Sequence, residues 1–119
     1  MRLVKDIAVN IGTQVKRGSA ELAILSVLED GPLHGYQIAK CIERQTRGLL
    51  SFNLASLYPL LYRMEKRGWV KGTWEGPEGG RRRRYYRLGP AGKRRLVPLR
   101  EEWGQLFRAL NRLAGVTHA

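Results

Sequence analysis

Residues 53–88, NLASLYPLLYRMEKRGWVKGTWEGPEGGRRRRYYRL, decide the fold. From Leu54 to Arg67 the apolar side chains fall at Leu54, Leu57, Leu61 and Met64, with Tyr58 and Leu60 beside them. Steps of three and four trace one face of a helix. A basic last turn closed by Gly68 is a helix stop. Pro59 then lies in the second turn, where it removes a backbone bond and crowds the carbonyl four residues back. The spacing therefore predicts either a regular helix that starts nearer Ser56 or a kink at that end. Trp69 to Trp74 and Arg81 to Leu88 are β-rich runs around the Gly/Pro-rich turn Glu75–Gly80, and so predict a hairpin. Alternation along its return strand turns Tyr86 and Leu88 to the core and Arg83, Tyr85 and Arg87 to solvent. That strand opens with four consecutive arginines, Arg81 to Arg84. A helix followed by a basic hairpin offers a rod for a major groove and an arm for the phosphates beside it.

Composition agrees. The 119 residues carry 22 Lys and Arg against 10 Asp and Glu, a net charge of +12. An excess of that size on a small chain favours a polyanion as partner. Between Arg81 and Arg100 there are nine basic residues and no acid. A basic run is often only a solvated face; placing four of these residues at a hairpin tip shifts the reading towards phosphate. At 43% hydrophobic the chain folds and is not a disordered basic tail. The single cysteine, Cys41, forms no intrachain disulfide and lies in an apolar helical pattern, where a small buried thiol is expected. No apolar run approaches the roughly 18 residues of a membrane span. The first 18 residues lack the continuous apolar core of a signal peptide, so a cytoplasmic protein is expected.

Outward from the central stretch, Leu3, Ile7, Ile11 and Val15 form one amphipathic stripe that needs a surface to lie against. Gly18-Ser19 interrupts it, and Ser19 caps a second, more evenly apolar helix from Ala20 to about Glu29. Asp30-Gly31-Pro32 is a turn. A third helix runs from about His34 to Gln45, with Ile38, Ala39 and Ile42 inward. After the hairpin, Gly89-Pro90 opens a last helix that reaches about Leu113. Its residues Leu96, Leu99, Trp103, Leu106, Leu110 and Leu113 are spaced three, four, three, four, three, a coiled-coil-like seam that Pro98 bends early. The fold class is mainly α with a small β-hairpin, α+β. The organisation is an N-terminal helix over 1–18, a DNA-binding unit over 19–88, a dimerisation helix over 89–114 and a frayed tail over 115–119.

No catalytic site assembles. His34 and His118 are far apart, no Cys/His spacing suits zinc, and Gly76 to Gly80 joins two strands instead of opening a helix that would cradle phosphate. The chain is read as no enzyme, with no metal and no cofactor.

Three segments together resemble the PadR family of bacterial and archaeal transcriptional regulators: Gly31-Pro32-Leu33-His34-Gly35-Tyr36-Gln37-Ile38, Ala55 to Gly68, and Gly80 to Leu88 with Ala91-Gly92. The likeness covers about residues 20 to 113, and the single short C-terminal helix resembles the compact subgroup. Gly89 departs from it, standing where that pattern commonly has a capping threonine; glycine keeps the cap geometry without a side-chain oxygen. The resemblance implies a winged helix-turn-helix homodimer that represses genes at a pseudo-palindromic operator. Leu54 to Arg67 would be the recognition helix and Trp69 to Leu88 the wing. The last helix would form the dimer, helped by the N-terminal one.

Candidate DNA contacts are Tyr36, Asn53, Ser56, Tyr58, Arg63, Arg81, Arg82, Arg83 and Arg84. Asn53 suits a helix cap and a base contact alike. Tyr58 suits a phosphate or packing on the hairpin, and His34 caps or packs. Arg82 and Arg84 share a side with Tyr86, so one of them suits an internal ion pair. The dimer seam is Leu96, Leu99, Trp103, Leu106, Leu110 and Leu113. Trp103 reads first as interface packing; alternatively, one tryptophan from each subunit would form a platform for a planar aromatic effector. Competing functions are a constitutive winged helix that binds RNA or shapes DNA, and an adaptor whose wing meets an acidic protein.

Overall fold

The structure, a computed structural model, describes residues 13–115, with side chains from residue 18 onward. The stripe expected at Leu3, Ile7 and Ile11, the side chain of Val15 and the tail from 116 lie outside these described residues. The order is α1 (Thr13–Val27), β1 (Leu33–His34), α2 (Gly35–Gln45), α3 (Leu54–Lys66), β2 (Val70–Glu75), β3 (Arg83–Leu88) and α4 (Pro90–Ala114). The strands form one antiparallel sheet in the order β1-β3-β2. Helices α2 and α3 are the helix-turn-helix pair, and β2 with β3 is the wing.

The three-four periodicity is realised as one core. Ile24 and Leu25 of α1, Ile38 and Ile42 of α2, Leu57, Leu61 and Met64 of α3, and Val70 of β2 are fully buried. Each contributes about 1.5–3 kcal/mol relative to an exposed side chain. Tyr86 of β3 and Leu96 and Leu99 of α4 close the cluster.

Three expectations change. Helix α1 runs unbroken through Gly18-Ser19, so these residues do not separate two helices. The reason is tertiary. The Trp103 ring of α4 packs against α1 at this point, with its nearest atom 3.4 Å from where a Gly18 Cβ would stand, an ordinary contact. A mid-helix glycine costs only about 1 kcal/mol against alanine, too little to break a helix that packs on both α2 and α4. Second, of the two readings of Pro59 the later start near Ser56 fails: α3 begins at Leu54, as its expected bounds had it, with Pro59 inside. The proline withholds one bond from the Ala55 carbonyl, and Ala55 lies on the exposed side. Third, Leu33-His34 is a strand. Leu33 pairs with Tyr86 and His34 with Tyr85, which joins the start of α2 to the wing. Cys41 is half-buried, more open than a small core thiol, with Gln45 Nε2 3.2 Å from its sulfur.

The turn after α3 is set by Gly68, which takes a left-handed φ of 75°. The chain then passes close beneath α4. A Cβ at Gly92 would fall 2.0 Å from the Trp69 carbonyl oxygen, and one at Gly89 2.4 Å from that of Gly68. Glycine at 89, without a capping oxygen, is therefore the residue this crossing admits. Two ion pairs fasten the periphery: Arg67 to Glu21 at 2.8 Å, and Arg100 to Glu29 through both carboxylate oxygens at 2.7 and 3.1 Å.

Candidate nucleic-acid interface

The N-terminal half of α3 presents its polar face outward. Asn53 is the N-cap; its side-chain oxygen accepts the Ser56 N–H at 2.8 Å. Asn53, Ser56 and Arg63 are exposed. The cap leaves the Asn53 amide nitrogen, a pair of donors, free to point away from the helix.

Tyr36 opens the exposed side of α2 and is 54% exposed, with the Lys40 ammonium 5.7 Å from its ring centre. Tyr58 leans across from α3 so that its ring and hydroxyl lie about 2.9 Å from where a Gly35 Cβ would be. It packs on the start of α2 while 44% of it stays exposed. Between α3 and the wing runs an open groove of about 680 Å³, lined by Tyr36, Tyr58, Trp74 and the four arginines among others.

The arginine run divides. Strand β3 begins at Arg83, so Arg81 and Arg82 lie in the turn, where strand alternation does not apply. Both are exposed, and neither has an ion-pair partner among the described residues. Arg83 turns its guanidinium to His34 Nε2 at 2.9 Å. Arg84 pairs with Glu65 of α3 and lies between the rings of Trp74 and Tyr86, 5.7 and 5.8 Å from their centres. Tyr86 and Leu88 do turn inward, as alternation predicts, and Arg87 faces solvent, but Tyr85 is half-buried because β1 brings the His34 ring to 5.4 Å from its own.

His34 is the buried polar residue of this region. It caps α2 through a capping box: Nδ1 accepts the Gln37 N–H at 3.3 Å, and Gln37 Oε1 accepts the His34 N–H at 3.1 Å. Both ring nitrogens thus face N–H donors, and a neutral imidazole accepts at only one. Protonation would set donor against donor at both. Burial, then the Arg83 charge, accordingly holds the His34 pKa below its ordinary value. Burial likewise pushes the Tyr86 phenol up.

Sequence reasoning missed Tyr62, Trp74 and Glu65. Tyr62 is 60% and Trp74 57% exposed, and with Tyr58 and Lys66 they line a second depression beside the first. The i, i+4 spacing of Tyr58 and Tyr62 was the available signal. The seam residues also part company. Leu96 and Leu99 are buried in the chain's own core, whereas Leu106, Leu110 and Leu113 are exposed, joined by Phe107. Trp103 lies half-buried against Gly18, its ring 5.6 Å from that of Phe107. Among the described residues no helix is long and apolar enough to cross a membrane, and no cluster of three or more His, Cys, Asp and Glu could hold a metal ion.

Comparisons with known proteins agree with this geometry. A transcriptional regulator from Clostridium thermocellum is 33% identical, with a TM-score of 0.75 over 86% of this chain and 96% of its own. A PadR family regulator from Eggerthella lenta is 25% identical, with a TM-score of 0.76 over 98% of this chain and all of its own. An uncharacterised protein of Lysinibacillus sphaericus is 27% identical over 96 residues, 81% of this chain and 88% of its own. The model of the PadR-like transcriptional regulator family matches residues 24–97, from the core of α1 through the wing into α4. The helix-turn-helix, the wing and the matched span together place this chain in the PadR-like family of transcriptional regulators, winged-helix DNA-binding proteins and not enzymes.

Proposed function

We propose that this regulator is a repressor that binds a pseudo-palindromic operator as a homodimer. One observation carries the reading: the start of α3, where Asn53 and Ser56 are exposed, borders a groove that Leu54 and Tyr58 of α3 line together with Tyr36, Arg81 and Arg82. This fits a helix lying in a major groove with cationic side chains on the neighbouring phosphates. Asn53 and Ser56 are the base-reading candidates, with Arg63 and Tyr58 along the backbone. Arg81 and Arg82 supply the phosphate contacts of the wing.

The distal part of α4 favours a dimer. Leu106, Phe107, Leu110 and Leu113 leave an apolar face that this chain does not cover among the described residues. Two copies joined there would set two recognition helices for half-sites about 34–36 Å apart. A planar aromatic effector stacked on Trp103 is the regulatory part of the proposal. The exposed leucines beside the Trp103–Phe107 pair support it.

The deciding experiment is a gel shift on the DNA upstream of the protein's own gene, run beside size-exclusion light scattering. A retarded band from a particle of twice the chain mass is expected. A monomer, or a shift equal to that on unrelated DNA, ends the reading.

A further inference from the structure

We propose that Arg84 is a positioning residue: through Glu65 it fixes the angle of the wing against the recognition helix and takes no phosphate itself. This rests on the reading that α3 and the wing meet one duplex together. The geometry argues for it from four sides.

First, the guanidinium pairs with the carboxylate of Glu65, in the last turn of α3, and both side chains are only 28% exposed. Second, it lies between the Trp74 and Tyr86 rings, so β2 and β3 both grip it. Third, the sheet makes room for it. Gly72 faces Tyr86 across the wing, and a Cβ at Gly72 would stand 2.7 Å from the Arg84 Nε. Any other side chain there would push the guanidinium out of its seat. Fourth, releasing Arg84 to a phosphate would leave Glu65 as an unpaired carboxylate beside a polyanion, a repulsion that opposes the move. The fourth arginine of the run thus neutralises Glu65 and braces the wing, and the phosphate-facing charge of the turn falls to Arg81 and Arg82.

Glu65→Gln separates this from a direct contact because the two roles predict opposite signs. If Arg84 touched phosphate, removing a neighbouring acid would tighten DNA binding. If Arg84 braces the wing, the same change weakens it. The probe is a fluorescein-labelled 30-base-pair duplex of mixed sequence, read by anisotropy across a range of KCl with the full chain. We expect Glu65→Gln and Arg84→Gln each to weaken binding roughly three- to tenfold, and the double variant to be no worse than either, as for two residues acting as one unit. Arg81→Ala and Arg82→Ala should instead each lower the salt slope by about 0.9.

A second readout needs no DNA. Amides of β2 and β3 should exchange roughly fivefold faster in Glu65→Gln and Arg84→Gln, with α1 and α4 unchanged, because the wing opens locally. In Arg81→Ala the wing amides should exchange as in the wild type. Tighter or unchanged binding by Glu65→Gln, additive losses in the double variant, or unchanged wing exchange would each overturn the proposal. A wild-type chain that ignores both this duplex and the DNA upstream of its own gene would instead end the DNA reading, and wing exchange would still decide whether Arg84 braces.

Discussion

At the scale of single residues, neighbours within the fold redirect side chains that look alike in sequence. His34 shows the energetic side. Its folded-state pKa is held below the ordinary value, so below about pH 6.5 the unfolded chain takes up a proton that the folded chain refuses. The His34 contribution to stability is therefore complete above about pH 6.5 and is lost progressively as the pH falls from there towards the lower folded pKa. Urea denaturation between pH 7.5 and 5 should show this decline. His34→Asn keeps a capping side chain that does not titrate, and so should flatten it. An identical acid slope in the variant would place the titrating group elsewhere. The Arg100–Glu29 pair works in the same direction at lower pH, because the hydrogen bond from Arg100 holds the Glu29 carboxyl below its usual range. That contribution is present above about pH 4.5 and fades as the pH falls through the lowered value.

At the scale of elements, the crossing of α4 over the α3–β2 turn is the tightest backbone approach described above. Gly92→Ala would set a methyl against the Trp69 carbonyl and should cost about 3 kcal/mol, the upper end of overpacking penalties. Thermal denaturation should show a fall of roughly 10 °C or more; a fall under about 2 °C would mean that the helix shifts aside freely. The same crossing marks the boundary of what the sequence discloses. Helices α2, α3 and α4 and the wing were legible because local periodicity, Gly68 and the Asn53 cap all point to the same structure. Strand β1 was not, since two residues carry no period. The continuity of α1 was not, since glycine signals a break and the packing of α1 on α2 and on the distant α4 leaves no mark in the local pattern. In the site, alternation gave the side on which Arg84 lies but not its partner, because Glu65 comes from another element. A functional pair brought together by packing leaves no spacing to read.

At the scale of the whole molecule, the question is what covers the far end of α4. On the proposed dimer, Leu106→Asp should yield monomers by sedimentation and abolish retention of the proposed operator, while leaving the core intact because Leu106 lies outside it. A variant that still sediments at twice the chain mass would move the interface elsewhere. The strand pairing has a kinetic consequence. The wing hairpin closes a short loop and can form within microseconds, but β1 pairs with residues about 50 positions further along. During synthesis at about 5–20 residues per second, Leu33 and His34 leave the ribosome roughly 3–10 s before Tyr85 and Tyr86. Over that interval α1 has no α4, and α2 no completed sheet, to close against. The first half of a nascent chain is thus the half most exposed to chaperones and to aggregation, and the sheet that completes the DNA-binding unit is among the last parts to assemble.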